Sequence, residues 1–123
     1  MITKISTDKA PAAIGPYSQA IVHGDILFTS GQIPLNIKGE IVGDEIVAQA
    51  EQVMINLSAI LTEAGTSFDK VIKTTCFLSD MADFSAFNQV YAKYFTSNPA
   101  RSCVAVKTLP KGVLVEVEAI AVI

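Results

Sequence analysis

The chain carries one arginine among its nine basic residues, Arg101, within Asn98-Pro99-Ala100-Arg101-Ser102-Cys103. Its guanidinium stays charged at any relevant pH, and its planar fork matches a carboxylate with two parallel hydrogen bonds. Cys103, one of two cysteines, stands two residues on, and further along Glu116 and Glu118 interrupt the apolar run 113–122. Side chains alternate across a strand, so Arg101 and Cys103 share one face while Ser102 and Val104 take the other. By the same rule Leu114, Glu116, Glu118, Ile120 and Val122 line one face of the last strand. A carboxylate in such a run must sit at an exposed end, be paired, or be poised for proton transfer, because an unpaired buried charge is too costly to keep ionised. Arg101 is the natural partner for one of the two glutamates. The residue types leave open an ion pair at a strand end or subunit interface, and a clamp for a small-molecule acid.

Cys103 is a nucleophile only if a base lies beside it, and no histidine is near it in sequence; otherwise it is a small packing residue. His23 falls in a turn and reads as a solvated turn residue rather than a catalyst. The stretches Ala12-Ala13-Ile14-Gly15-Pro16-Tyr17-Ser18-Gln19-Ala20 and Thr29-Ser30-Gly31-Gln32-Ile33-Pro34 join glycine to polar groups at the edge of β runs. Exposed N–H groups near Ser30 and Gly31 are able to hold an anion or a carbonyl oxygen, as against plain turn chemistry. Tyr17 is either a ligand-facing hydroxyl or a half-buried ring.

These residues need elements to position them. Residues 18–31 form two short β-rich runs joined at His23-Gly24-Asp25, where Gly-Asp signals a hairpin turn. Ile33 to Gly43 continues as an extended or looping segment. From Asp44 to Ala64, Ile46, Ala50, Val53, Leu57, Ile60 and Ala64 recur at helical spacing, Gln49, Gln52, Asn56 and Glu63 lie on the other side, and Gly65 ends the run. Residues 70–79 are β-branched and read as a strand. Phe84, Phe87, Val90, Tyr91, Tyr94 and Phe95 then form an aromatic stripe at helical spacing, a core face, with Asp80 and Asp83 as candidate N-caps. The final part reads as two strands joined through Leu109-Pro110-Lys111-Gly112. The order ββ(β)αβαββ predicts an α+β fold, a mixed sheet covered on one face by two helices, in a single domain over residues 1–123.

The 123 residues are 50% hydrophobic and 17% charged, with mean hydropathy +0.44. That is more apolar side chain than one small core needs, and the surplus is read as a subunit interface burying the other face of the sheet. No apolar run reaches the length of a membrane span and the N-terminal stretch lacks the pattern of a signal peptide, so the expectation is a soluble cytoplasmic protein with reduced thiols. Two separated cysteines and one histidine do not make a zinc site. A net charge of −3 with scattered lysines provides no basic stripe for nucleic acid.

Taken in order, the blocks 10–20, 29–34, 98–106 and 115–122, together with the strand and helix of 71–95, resemble the RidA (YjgF) family of reactive-intermediate deaminases, once grouped as translation-inhibitor endoribonucleases. The resemblance runs nearly end to end. It implies a homotrimer of chorismate-mutase-like subunits with a cleft at each interface, hydrolysing 2-imino acids such as 2-iminobutanoate and 2-iminopropanoate, and their enamine tautomers, without metal or organic cofactor. Carried over by motif, Arg101 grips the substrate carboxylate, Cys103 lines the same cleft, and Tyr17, Ser30, Gly31 and Asn88 match further pocket positions. Glu116 matches the residue associated with the catalytic water. Two departures stand out: the stretch before Pro99 is shorter than in several relatives, and Val117 stands where isoleucine is common. A binding or chaperone-like module is the rival from another class; ribonuclease activity, suggested by the older family name, has no support in the charge pattern.

Overall fold

The computed structural model describes residues 1–123. Six strands form one sheet: β1 (Ile2–Ile5), β2 (Ala20–His23), β3 (Ile26–Thr29), β4 (Val71–Leu78), β5 (Ala100–Ala105) and β6 (Val115–Val122). Their spatial order is β1-β2-β3-β6-β4-β5, antiparallel throughout except for the parallel pair β4–β5. Helices α1 (Ile46–Glu63) and α2 (Phe84–Tyr94) both lie on one face, α2 as the crossover that a parallel pair demands. The α+β class with two helices on a mixed sheet is as the sequence predicts.

The hairpin is closed by Gly24 and Asp25, with His23 opposite Ile26 and Gly24 at φ +62°, a conformation for which glycine has no Cβ penalty. The segment 33–43, read as extended or looping, loops and adds no strand after the hairpin. Residues 32–43 make only isolated bridges, Leu35 to Ile41 and Gln32 to Val117. The extra strand is β1, an exposed edge whose four residues, Ile-Thr-Lys-Ile, are too few to show an alternating pattern. The last two strands also do not pair with each other, since β4 lies between them.

Glu45 caps α1, its carboxylate accepting from the N–H groups of Val47 and Ala48 at 3.0 and 2.8 Å. Ile46, Ala50, Val53, Leu57 and Ile60 of α1 are buried as predicted and Ala64, just past its end, is half-buried, but Gln49 and Asn56 are buried with them rather than solvated. Their amides bond backbone: Asn56 donates to the carbonyls of Ile33 and Leu35, while Gln49 donates to Gly43 O and accepts from Leu114 N. Of the two candidate caps for α2, Asp80 caps the 3-10 turn Met81–Asp83, and Asp83 makes no side-chain cap bond. Phe87, Val90 and Tyr91 from α2, with Phe95 just past its end, enter a core of 21 buried residues. Full burial of a ring such as Phe87 or Phe95 contributes about 1.5–3 kcal/mol.

In β6, Val115, Val117, Ala119 and Ala121 face the helices, and Glu116, Glu118, Ile120 and Val122 face the other way. That second face has no helix over it. It carries Ile21, Phe28, Phe77, Ile120 and Val104, with Phe28 and Val104 45% and 46% exposed.

Candidate active site

The seven residues singled out in the sequence fall into two groups. Tyr17, Ser30, Gly31 and Glu116, with Ile33 and Pro110, line a cavity of about 390 Å³ on the helix-free face. Glu116 reaches it because strand alternation turns its side chain away from the core. A Cβ built on Gly31 would lie 2.0 Å from Glu116 Oε2, so only glycine leaves room for the carboxylate to fold over the backbone there. Burial pushes the Glu116 pKa above the ordinary carboxylate range, and the like charge of Glu118 adds to the rise. Ser30 is fixed twice: its hydroxyl donates to Ser18 O at 2.6 Å and its N–H donates to Gln19 O at 2.9 Å. Of the two N–H groups expected to serve as anion donors, that of Ser30 is therefore already used; the Gly31 N–H makes no bond in the chain.

Tyr17 is 53% exposed, at the end of the segment that leads into β2. Gln19, which sequence reasoning passed over, holds that segment down. Its buried amide accepts from Thr7 N at 2.7 Å and donates to Thr7 O and Pro11 O at 3.1 and 2.8 Å. The only sequence signal was its place two residues after Tyr17.

The second group lies on the helix side, at the edge of the sheet. Arg101 in β5 stands opposite Thr74 in β4 and reaches toward α2, where its Nη1 donates to Asn88 Oδ1 at 2.7 Å. Its guanidinium carbon sits 4.7 Å from the Tyr91 ring centroid and 5.5 Å from that of Phe84. Asn88, Tyr91, Ala92, Phe95, Asn98, Pro99 and Arg101 line an open cavity of about 300 Å³. Cys103 shares the Arg101 face, in register with the buried Cys76. Burial raises the Cys103 pKa, with Arg101 partly opposing, and pushes that of Cys76 up to about 12. Both are thiols rather than nucleophilic thiolates at neutral pH.

The expected pairing of Arg101 with a β6 glutamate does not occur in the chain. Lys93 with Glu51 is the single ion pair, and Glu116 and Arg101 lie on opposite faces of the sheet with β4 between their strands. His23, expected in the turn, is instead the last residue of β2, exposed and paired with Ile26. No three His, Cys, Asp or Glu side chains gather as a metal site, and no helix is long and apolar enough to cross a membrane.

The endoribonuclease L-PSP family model matches residues 7–123. The chain belongs to this family. A Lactococcus lactis protein named as a candidate regulator, AldR, is 60% identical over 119 residues, 95% of this chain and 94% of its own. YyfA of Yersinia pestis, described as a member of the conserved Rid protein family, superposes with TM-score 0.97 at 48% identity over the whole of both chains. Escherichia coli TdcF, solved with bound serine, superposes with TM-score 0.93 at 44% identity over 98% of each. Identity this high over whole chains ties the Rid family to the fold described above and extends the resemblance beyond the motif blocks.

Proposed function

We propose that the protein hydrolyses 2-imino acids and their enamine tautomers to 2-oxo acids and ammonia. It acts as a homotrimer of single-domain subunits in the cytoplasm, each cleft joining the Glu116 group of one subunit to the Arg101 group of the next. The observation that carries this is the half-buried Arg101, which has no acidic partner in its own chain. An arginine so placed fits an incoming carboxylate. Serine, the molecule bound to the relative TdcF, has the same carboxylate and the same nitrogen on C2 as a 2-imino acid.

In the proposed reaction Arg101 holds the carboxylate with two parallel bonds, and the Gly31 N–H, the Ser30 hydroxyl oxygen and Tyr17 orient the imine end. The protonated imine is already electrophilic at C2. Glu116 takes a proton from water as the water oxygen bonds to C2 and the C=N π pair moves to nitrogen. The same carboxyl then returns that proton to the amine. The remaining hydroxyl proton passes to the Glu116 carboxylate as C=O forms and the C–N bond breaks, and the departing ammonia, which keeps the C–N electron pair, takes that proton up and leaves as ammonium. Nothing in these steps requires a metal, an organic cofactor or a covalent bond to Cys103.

The test couples the protein to a threonine dehydratase and follows imine disappearance with wild type and Arg101→Ala. Acceleration over spontaneous hydrolysis that is lost in Arg101→Ala is the expected result; no acceleration by wild type would favour a carboxylate-binding sensor without turnover. The regulator name of the Lactococcus lactis relative is the observation on that second side.

A further inference from the structure

Arginines half-buried in proteins are ordinarily compensated by an acid, and Arg101 is not. Each group around it is neutral: the Asn88 amide oxygen at 2.7 Å and the ring faces of Tyr91 and Phe84 at 4.7 and 5.5 Å. Residues 84, 88 and 91 are spaced to lie along one side of α2, so a single helix presents both rings and the amide to the guanidinium. A ring face attracts a cation through its quadrupole without cancelling the charge, whereas an aspartate in the same place would cancel it. Tyr91 is itself held. Its hydroxyl shares a 2.8 Å hydrogen bond with Thr74, the β4 residue in register with Arg101, and its ring stacks on Phe95 with centroids 4.4 Å apart. Asn88 occupies Nη1 only. Nε and Nη2 have no partner in the chain, and since no buried side-chain polar atom is left unpaired, that edge of the fork is open.

We infer that Tyr91 is a positioning residue for Arg101: with Phe84 and Asn88 it forms a neutral cradle that fixes the fork while leaving its positive charge uncompensated for a ligand carboxylate. This rests on the carboxylate-clamp role given to Arg101 above, but not on turnover. An uncradled arginine would have to lose rotamer freedom on binding, and an acid-paired one would have to give up its partner.

The test is calorimetric binding of a short 2-oxo acid, with the matching 2-oxo amide as a ligand lacking the carboxylate. Tyr91→Leu removes the ring and should weaken acid binding about tenfold while leaving amide binding unchanged. Tyr91→Phe keeps the ring and loses only the bond to Thr74, so it should lower thermal stability yet hold acid affinity within about twofold. A purely structural role for Tyr91 would give the opposite pattern, with acid and amide affected alike in both variants. Asn88→Asp should weaken the acid by about tenfold or more, by occupying the fork internally. If Tyr91→Leu does not fold, Phe84→Leu, at a half-buried site, takes its place with an expected loss of about threefold. Wild-type acid affinity in the ring-deleted variant, or in Asn88→Asp, overturns the cradle. Arg101→Ala separates the two levels: if it binds the acid as wild type does, the clamp itself is wrong, whereas if it loses binding while the ring variants keep it, the clamp stands and the cradle falls.

Discussion

The two groups of site residues solve opposite electrostatic problems by opposite means. Around Glu116 the chain disfavours charge: burial and the neighbouring Glu118 both raise its pKa, and Gly31 clears room for the carboxylate to lie against backbone. Around Arg101 the chain tolerates charge without neutralising it, through one amide oxygen and two rings. A carboxyl made easier to protonate suits proton exchange with water, and a fixed cation suits holding an anion. What separates them is one intervening strand and the two faces of a sheet.

Substitutions that damage one side and spare the other sharpen this contrast. The largest effect is expected at Arg101, where alanine or lysine should lower kcat/KM for imine hydrolysis by about a hundredfold or more, since lysine does not reproduce the fork. Retained activity in Arg101→Lys, measured in the dehydratase-coupled assay, would rule out bidentate binding. Gly31→Ala should come next. Its Cβ displaces the flexible end of the Glu116 side chain rather than backbone, so the variant should fold while kcat falls by on the order of tenfold to a hundredfold. An unchanged kcat would show that the Glu116 carboxylate does not act from where it lies.

Smaller effects follow at the margins of each group. The charge of Glu118 disfavours ionised Glu116, so Glu118→Gln should lower the Glu116 pKa. In the proposed reaction the base form of Glu116 is the active one, so the acid limb of the kcat/KM profile should move to lower pH; a limb that stays put or moves up would assign it to another group. Least affected should be Cys103→Ser, within about threefold of wild type by the same assay, because a protonated thiol beside Arg101 takes no covalent step. A folded but inactive Cys103→Ser would contradict that.

Much of this was legible in the sequence where periodicity governs. The Gly24-Asp25 hairpin, both helices and the shared face of Arg101 and Cys103 follow from spacing alone, because the helix repeat, strand alternation and turn chemistry are local. Alternation within β5 and within β6 was also right. It does not say which face of one strand matches which face of another when a third lies between, and so Arg101 and Glu116 looked like partners when they are back to back. Gln49 and Asn56 were misplaced for a similar reason: a polar residue beside a helix stripe reads as solvated unless loops known only from the fold return to bond it. β1 is too short and exposed to carry a pattern, and Tyr91, legible as core, gave no sign that its other neighbour is a guanidinium.

The most direct test of the central claim, that each site joins the two groups across neighbouring subunits, is complementation between two inactive variants. Arg101→Ala and Glu116→Gln subunits are mixed under conditions that exchange protomers, with mixed trimers confirmed by native mass spectrometry. In a randomly mixed trimer about one interface in four pairs an intact arginine group with an intact glutamate group, so about a quarter of wild-type activity should return. Mixed trimers as inactive as either parent would contradict the account and place the whole reaction within one subunit.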